Sequence, residues 1–330
     1  MGVQQISRVA GLSREEFYVR YVERGQPVVL TDAASDWPAV SKWTSEYLAG
    51  SAGDLVVQLR SIDPRKPPAH SLHRTESTLR EYLARLPTAA IGDPYLAEQP
   101  LEKLFPHFLV DIGTIRYSQS PASNLSVMLS SKSVAPLHYH PHSEAISHQI
   151  AGTRRFLLLP PAETSKLDPA PVTGPLWNFA RRVIKEDEIM SMPEEAFETT
   201  LTPGEAIFIP LHWWHTVFAS TGLSILLCDF FVYPHTRPQQ SEVSDRMERM
   251  QAACRESIAA SEAFLQNISE AEDKTPYFDH MLACCRQLDD KKMEQKVLIR
   301  ALSYLPETAG RQRSEMQGRL DELASASASN

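Results

Sequence analysis

Six short runs of β-prone residues, separated by turns, follow one another between residues 124 and 233. Short strands at this spacing are typical of an antiparallel barrel or sandwich. The six runs cover residues 124–130, 136–140, 145–150, 154–159, 206–209 and 224–233. The central part of the chain is therefore predicted to be a β structure of this kind.

The segments on either side of these runs carry helical patterns. Ser13-Arg14-Glu15-Glu16 resembles a capping box, residues 41–48 form a second helical segment, and Pro27-Val28-Val29-Leu30 is a short strand between them. After Pro238 three apolar series recur every three or four residues, which predicts three closing helices. The series are Val243, Met247, Met250, Cys254 and Ile258, then Phe278, Met281, Leu282 and Cys285, then Met293, Val297 and Ala301.

Composition restricts the classes of function. Of the 330 residues, 42% are hydrophobic and 22% are charged, which is typical of a globular protein, and no stretch approaches the roughly 18 apolar residues of a membrane span. The net charge of −8 disfavours nucleic acid as a partner. The first nine residues lack the layout of a signal peptide, and the four cysteines follow no disulfide or zinc-site spacing. We therefore expect a cytoplasmic protein with reduced thiols and no membrane contact.

Histidines are concentrated in two short windows. Six of the 11 lie either in Pro136-Leu-His-Tyr-His-Pro-His-Ser-Glu-Ala-Ile-Ser-His148 or in Pro210-Leu-His-Trp-Trp-His215. Because side chains alternate along a strand, His138 and His140 point to the same side, and a third imidazole from a neighbouring strand would complete a metal site. His215 is predicted to be that ligand, since a turn and a short apolar strand, residues 203–210, lead up to it.

Other residues of these windows have more than one interpretation. Glu144 lies six residues after His138 and is either an oxygen ligand or a solvated turn residue. His142, His148 and His212 are interpreted as local hydrogen-bonding residues, as isolated histidines usually are. Trp213 and Trp214 are interpreted as packing residues of the β structure.

The order of motifs along residues 12–233 resembles the cupin-like JmjC family. The matching motifs are Trp37-Pro38 with Lys42-Trp43 and Tyr47-Leu48, Pro94 to Leu101, Pro136 to Tyr139, Gln149 to Pro161, and Pro203 to His215. The resemblance implies a double-stranded β-helix, which is a jelly-roll fold that is mainly β with flanking helices and a C-terminal helical segment. It also implies an oxygenase that uses iron(II) and, as a cosubstrate, 2-oxoglutarate.

The resemblance also assigns roles to individual residues. His138 and His215 match the first and last iron ligands of the family, and His140 stands where the family normally has Asp. Arg154 matches a lysine that pairs with the distal carboxylate of 2-oxoglutarate, and Tyr95 matches a tyrosine that helps to hold it. Two further positions differ from the family: Ala135 replaces a Thr, and Asp229 replaces an Asn on the last strand, where we expect it to contact the cosubstrate.

Three readings of the site remain open. In the first, iron is held by His138, His140 and His215, and 2-oxoglutarate chelates it, so that a carbon centre of a protein, peptide or small-molecule substrate is hydroxylated. In the second, Glu144 is a fourth ligand, and the protein is a metal cupin, a dioxygenase or isomerase that needs no 2-oxoglutarate. In the third, the domain is a non-catalytic binding module. We adopt the first reading.

The domain prediction follows from these patterns. Residues 1–238 form the catalytic domain with its N-terminal helical flank, residues 239–323 form a C-terminal helical segment, and residues 324–330 form a disordered tail rich in Ser and Ala. The apolar stripes of the closing helices require a partner surface. Because members of the family dimerise through such helices, the resemblance predicts a homodimer.

Overall fold

The computed structural model describes residues 3–62, 72–118, 120–171, 176–181, 184, 195–233, 242–267, 274–305 and 310–328. The chain divides into two compact units. The first contains residues 1–170 and 176–243, and the second contains residues 171–175 and 244–330. The unit boundary near Val243 lies close to the predicted one at residue 238, and residues 234–241 lie outside the described part of the chain.

The N-terminal part of the first unit consists of short elements. They are β1 (Gln4–Gln5), β2 (Arg8–Val9), α1 (Arg14–Phe17) continued by a π-helical turn (Tyr18–Val22), β3 (Val28–Leu30), α2 (Pro38–Lys42) and α3 (Ser45–Ala52). The predicted capping box is present: Ser13 and Glu16 exchange hydrogen bonds, each side chain accepting from the other residue's backbone. The predicted helix 41–48 is instead split at Trp43, because Thr44 caps a new helix through the Tyr47 amide.

Strands and helices that the sequence patterns did not predict follow. They are β4 (Val56–Ile62), β5 (Leu72–Thr78), α4 (Leu79–Arg85), β6 (Leu96–Pro100) and α5 (Leu101–Leu104). Strands β4 and β5 form a two-stranded antiparallel sheet of their own. In β4 the buried Val57 and Leu59 alternate with the exposed Val56 and Gln58, but their partners in β5, Ser77 and Thr75, are polar. The apolar pattern is therefore short, and periodicity alone did not identify the sheet.

Eight strands build the central β structure. They are β7 (Ser126–Ser130), β8 (Val134–His138), β9 (Glu144–Ala151), β10 (Arg154–Leu159), β11 (Phe197–Leu201), β12 (Ala206–Ile209), β13 (Trp214–Ala219) and β14 (Ser224–Phe231). Each of the six predicted runs corresponds to one of these strands, and β11 and β13 are additional.

Two mixed sheets share these strands. One has the order β1-β11-β10-β13-β8, and the other has the order β2-β3-β12-β9-β14-β7-β6. From β7 to β14 the chain passes repeatedly from one sheet to the other, as in a jelly roll. The predicted fold class, mainly β with flanking helices and a C-terminal helical segment, is confirmed. Apolar residues of both sheets, including Phe156, Ile207 and Leu226, pack together in the interior.

A buried carboxylate organises the N-terminal flank. Asp111 is fully buried and accepts hydrogen bonds from Lys42 Nζ (2.7 Å), Trp43 Nε1 (3.1 Å) and Tyr47 Oη (3.1 Å). Burial opposes ionisation, but these three donors together hold the pKa of the Asp111 carboxyl below its ordinary value. The Lys42-Trp43 and Tyr47 motif therefore supplies the hydrogen-bond donors for the buried carboxylate of Asp111.

The second unit is helical. Its described elements are α6 (Glu242–Asn267), α7 (Thr275–Gln287), α8 (Lys291–Tyr304) and α9 (Gly310–Ala328). The three predicted helices are confirmed, and α9 is an additional one. Glu294, which is buried, accepts hydrogen bonds from Arg286 (3.0 Å) and Arg319 (3.0 and 3.1 Å) and so links α7, α8 and α9.

The predicted disordered tail differs from the structure. Helix α9 continues to Ala328, and residues 329 and 330 lie outside the described residues. Alanine has the highest helix propensity, and four of the residues from 322 to 328 are Ala or Leu, which lets the helix continue. Among the described helices, none is both long and apolar enough to cross a membrane.

We predict that Asp111→Asn lowers the free energy of unfolding by about 1–3 kcal/mol at pH 7, because a buried charged acceptor for three donors is lost. Urea denaturation measures this loss. Asp54→Asn is the matched control, since that carboxylate is exposed and meets only Arg80 at 3.4 Å. The pKa of Asp111 is lowered by folding, so its contribution is present above the unfolded value of about 3.9 and is lost as the pH falls below it. A difference that does not shrink as the pH falls from 5 to 2 would contradict this explanation.

Candidate metal and cosubstrate site

Strand β8 ends at the first metal-site histidine. His138 is its last residue, and His140 follows two residues later, so the two side chains share a side while Tyr139 points away. Tyr139 is buried with its ring edge against Trp214, at 4.7 Å between ring centroids. The packing of Tyr139 thus fixes the direction of the two histidines around it.

Strand β13 supplies the third histidine. His215 lies directly opposite His138 in the antiparallel pairing of β13 and β8. Before the strand, the chain turns at His212, which has a φ of 69°, and the Trp213 amide donates to the Pro210 carbonyl. The Trp214 indole is buried on the other face and donates to Thr164 Oγ1 at 2.9 Å. Strand alternation then directs His215 toward His138.

The three imidazoles converge on one point. One ring nitrogen from each of His138, His140 and His215 lies within 4.8 Å of the others. The ring centroids are 4.2 Å apart for His138 and His215, and 4.5 Å apart for His140 and His215. The structure therefore brings together the three residues that the sequence predicted as metal ligands.

Hydrogen bonds select the tautomer of two of these rings. His138 Nδ1 lies 2.8 Å from the Pro136 carbonyl oxygen, and His215 Nδ1 lies 3.0 Å from the Trp213 carbonyl oxygen. A carbonyl oxygen can only accept, so both Nδ1 atoms carry the proton and both Nε2 atoms present a lone pair. This backbone anchoring of the outer nitrogen is the usual arrangement for histidine ligands of a metal.

Burial keeps the cluster neutral. Desolvation and, next, the neighbouring imidazole lower the pKa of His138 to about 3, and the same two causes hold the pKa of His140 and His215 well below the ordinary value. Neutral imidazoles are the form that binds a metal ion. His140 Nδ1 is also buried and has no hydrogen-bond partner among the described residues. An orphaned buried nitrogen beside two aligned ones fits a metal ion.

The three histidines line one wall of a cavity of about 290 Å³. Its polar lining includes Arg60, Tyr95, Glu98, Ser147, Arg154 and Asn178. Its apolar lining includes Met128, Phe156, Phe179, Ile209, Leu226 and Phe230. A small, mainly apolar cavity with a few convergent polar groups is the usual form of a site for a small molecule.

Arg154 brings a buried positive charge into this cavity. Its Nε donates to Ser224 Oγ (3.0 Å), and its Nη2 donates to Ser130 Oγ (3.0 Å) and to the Ser224 carbonyl (3.2 Å). Desolvation lowers the pKa of Arg154 to about 10, so the side chain stays charged at neutral pH. Among the described residues, the groups that act on this charge include no carboxylate. A buried cation without an acidic partner is costly unless an anionic ligand compensates it.

The two adjacent arginines of β10 point to opposite sides of the strand. Arg154 faces the cavity, whereas Arg155 points to the other side of β10, where its Nε donates to Glu198 Oε2 at 3.0 Å. Tyr95, the second predicted cosubstrate residue, also lines the cavity and contributes to the electrostatic environment of Arg154. The predicted pair of Arg154 and Tyr95 therefore lies in the same cavity as the histidines.

Two other predicted site residues lie elsewhere. Glu144 is buried, but its Oε2 accepts a hydrogen bond from the Leu211 amide, and it is not part of the three-histidine cluster. Its carboxylate holds the turn before His215, so it is neither a ligand nor a solvated turn residue. Asp229 alternates with Cys228 and Phe230, which line the cavity, and it therefore faces away from it. Burial raises the pKa of Asp229, with the Ser118 and Ser120 hydroxyls opposing this.

The remaining histidines and tryptophans of the two windows have structural roles. His148 stacks on Trp37 at 4.8 Å, and His212 Nε2 lies 3.2 Å from the Pro141 carbonyl. Trp213 packs on Phe197, as expected for a packing residue. Among the lining residues, His142 belongs to the first window but is not in the metal cluster.

Sequence reasoning missed Phe179 and Arg60. Phe179 stacks on His138 at 4.9 Å with an angle of 15° between the rings, in a segment whose backbone pairs with residues 137–139. Arg60 lies in the unpredicted hairpin. Both come from segments distant in sequence from the histidine windows, and neither carries a local pattern that would have indicated a site.

Comparison with known proteins agrees with this geometry. A family model described as a cupin-like domain matches residues 14–237, so the chain belongs to that family, as the resemblance predicted. The arginine-specific demethylase JMJ22 of Arabidopsis thaliana is 24% identical over 292 residues, which cover 82% of this chain and 56% of the relative. The Jumonji C domain-containing protein 5 of Drosophila melanogaster is 29% identical over 220 residues, which cover 62% and 54%.

A relative of another kind also matches. The tRNA wybutosine-synthesizing protein 4 of Gibberella zeae is 26% identical over 247 residues, which cover 69% of this chain and 24% of the relative. The chain spans about half of the length of the first two relatives, 56% and 54%.

We predict that His215→Ala weakens iron(II) binding at least about 100-fold, because it removes one of three convergent nitrogens. Loss of a residue that only hydrogen-bonds to a metal ligand already lowers metal affinity about 10- to 100-fold. Anaerobic titration followed by metal analysis measures this. His142→Ala is the matched control from the same windows and should keep full binding. Glu144→Gln should also keep it, since an amide oxygen still accepts from Leu211. Loss of metal in the glutamine variant would restore the four-ligand reading.

Proposed function

We propose that this protein is an iron(II)- and 2-oxoglutarate-dependent oxygenase that hydroxylates a carbon centre. The observation that carries the proposal is that three neutral imidazoles and a buried arginine line the same small cavity, and that this arginine has no carboxylate partner among the described residues. The first element fits a divalent metal ion, and the second fits the distal carboxylate of a dicarboxylic keto acid. Membership of the cupin-like family supports both assignments.

Iron(II) with 2-oxoglutarate, when bound, supplies the oxidative chemistry: dioxygen and the keto acid give succinate and carbon dioxide, and the second oxygen atom enters a substrate C–H bond as a hydroxyl group. The chain's own residues prepare the site. His138, His140 and His215 would hold the metal through nitrogen atoms. The Pro136 and Trp213 carbonyls fix two of these rings, so the ligand geometry exists before binding.

Arg154 and Tyr95 would orient the cosubstrate. The two serine hydroxyls that hold the Arg154 guanidinium keep it in place without neutralising it, so its charge is available to a carboxylate. Binding the distal end there directs the keto-acid end along the cavity toward the histidines. The apolar walls, including Phe156, Leu226 and Phe230, exclude water from the space between the two ends.

The replacement of the usual Asp by His140 changes the charge of the site but keeps its ligand number. A third imidazole supplies a strong nitrogen donor and removes one negative charge, so iron(II) would be bound by neutral groups alone. The four-ligand alternative is disfavoured because Glu144 is engaged by the Leu211 amide. A non-catalytic module would need neither aligned imidazole tautomers nor a buried uncompensated arginine.

For the substrate we propose a protein or peptide side chain. The relative named as an arginine-specific demethylase supports an amino-acid side chain as the target. A small metabolite is the remaining alternative. The net charge of −8 favours these over nucleic acid, although one relative is named for tRNA wybutosine synthesis.

We also propose that the C-terminal helices form a homodimer. The support is their amphipathic pattern and an exposed apolar residue on α8, Ile299, with 56% of its surface accessible. Ile299→Glu should raise the dimer dissociation constant by at least about tenfold, because it places a charge in an apolar contact. Sedimentation velocity measures this, with Lys291→Glu on the same helix as the control. A monomeric wild-type protein at micromolar concentration would contradict the proposal.

For the cellular location we propose the cytoplasm. The support is that the four cysteines, Cys228, Cys254, Cys284 and Cys285, are buried free thiols. Burial raises the pKa of Cys228 and Cys284 to about 12, which makes both thiols unreactive. Fractionation of cells that produce the protein tests this location.

The test of the proposed reaction is the affinity for 2-oxoglutarate. Anaerobic addition of the keto acid to the iron(II) protein should produce the charge-transfer absorbance of a chelated keto acid. Arg154→Gln should raise the dissociation constant by about 10- to 150-fold, because a charged hydrogen bond contributes about 1.5–3 kcal/mol. Arg154→Lys should recover part of the affinity, since it restores the charge.

Arg155→Gln is the matched control for this test. It removes the neighbouring guanidinium and its bond to Glu198 but leaves the cavity unchanged, so the affinity for 2-oxoglutarate should stay that of the wild type. Thermal unfolding followed by circular dichroism confirms that both variants fold. Absence of the absorbance in the iron-loaded wild-type protein would refute the proposed function.

A further inference from the structure

A second arginine reaches the cavity from outside the central β structure. Arg60 lies on β4, and its backbone pairs with that of Tyr95 through hydrogen bonds of 2.8 and 2.9 Å. This pairing docks the β4–β5 hairpin against the segment that carries the cosubstrate tyrosine. The Arg60 side chain then lines the cavity together with the three histidines.

The guanidinium of Arg60 is held on one side only. Its Nη2 donates to Tyr95 Oη at 3.3 Å, and its carbon lies 5.6 Å from the centroid of the Tyr95 ring. Its Nε is buried and has no hydrogen-bond partner among the described residues. No described carboxylate forms an ion pair with it, although Glu98 is close enough to act on its charge. Arg60 therefore retains donor capacity for a ligand.

Arg60 and Arg154 line the same cavity but are held by different groups. Arg154 is buried and is fixed by Ser130 and Ser224, whereas Arg60 is partly accessible and, among the described residues, donates to Tyr95. One distal carboxylate at Arg154 accounts for one of these cations. Arg60, which lines the cavity together with the three histidines, is left without an assigned ligand.

We propose that Arg60 is a specificity-determining residue that binds a carboxylate of the substrate next to the metal position, so that the substrate group presented to the metal is acidic. This inference rests on the proposed function. A planar guanidinium matches a carboxylate through two parallel hydrogen bonds, and the free Nε is one of the donors that such a pair uses.

The charge of the ligand set supports an acidic group. Three imidazoles would hold a divalent metal ion without an anionic ligand among the described residues. Arg154 would be compensated by the dicarboxylic cosubstrate, and Glu98 is the described carboxylate that acts on the charge of Arg60. An acidic substrate would complete the compensation, whereas a lysine or arginine side chain would add a further positive charge. Glu98, which has a φ of 44°, also lines the cavity, and its negative charge would weaken the binding of an acid without preventing it.

The test uses small probes that differ only in charge. The full chain, loaded with zinc(II) and 2-oxoglutarate, is titrated with N-acetyl methylamides of aspartate and glutamate and with those of asparagine and glutamine. Saturation-transfer NMR gives the dissociation constants without any turnover. The acidic probes should bind at least about tenfold more tightly than the amides. Equal affinities, or no binding of the acidic probes, would overturn the proposal.

Three variants assign the preference to Arg60. Arg60→Gln should remove the preference for acidic probes, Arg60→Lys should retain part of it, and Glu98→Gln should strengthen it because a competing negative charge is removed. Arg80→Gln, an exposed arginine that pairs with Asp54, is the matched control and should change nothing. A preference that persists in Arg60→Gln would contradict the assignment.

A second arm separates the two possible sources of a carboxylate. If Arg60 instead holds the metal-chelating end of the keto acid, Arg60→Gln will weaken the binding of both 2-oxoglutarate and pyruvate to the iron(II) protein, and the substrate assignment fails. We expect the affinity for pyruvate to be unchanged, because pyruvate lacks the distal carboxylate that Tyr95, the hydrogen-bond partner of Arg60, would contact. Repeating the probe titration with zinc(II) alone makes the result independent of 2-oxoglutarate, so failure of the proposed function and failure of this inference give different results.

Discussion

The antiparallel pairing of β8 with β13 is the constraint on which the site depends. It sets His138 directly opposite His215, and each ring is then locked by a hydrogen bond from its own Nδ1 to a carbonyl two residues earlier. A slip of one residue in this register would send one of the two imidazoles to the other face of the sheet. Tyr139 and Trp214, which pack together behind the histidines, make such a slip costly, since both large rings would leave the core.

The fold was predictable where strands are apolar and short, and less so elsewhere. The six runs from β7 to β14 carry enough β-branched and apolar residues to be identified singly. Strand β13 was not identified because its residues do not alternate in polarity: His215 and Thr216 are adjacent polar residues, and both faces of the strand are buried. The β4–β5 hairpin buries Val57 and Leu59 on one face, but its second strand is mostly polar, so the hairpin is defined by the pairing of its two strands. Helix α9 carries Met316, Leu320 and Leu323 at helical spacing, but this apolar series is short and was not included in the sequence prediction.

The candidate site was also predictable only in part. Histidine spacing predicted the three ligands, because alternation along a strand depends only on sequence. The resemblance supplied Arg154 and Tyr95, which line the cavity. Glu144 and Asp229 could not be placed by spacing: Glu144 reaches the Leu211 amide, and Asp229 falls on the outer face of β14. Arg60 enters through a tertiary pairing with Tyr95 that no local pattern encodes.

The balance of charge links the neutral histidine cluster to the two arginines of the cavity. With His140 in place of an acidic ligand, the metal position is lined by neutral donors. The described lining of the cavity also contains two guanidinium groups and one carboxylate, Glu98, which acts on the charge of Arg60. Such an excess of positive charge in a desolvated space opposes folding unless ligands compensate it. The chain pays this cost in its ligand-free form, since Ser130, Ser224 and Tyr95 supply only neutral hydrogen bonds to the two arginines. Anionic ligands should therefore stabilise the fold as they bind, which couples the occupancy of the cavity to the stability of the first unit.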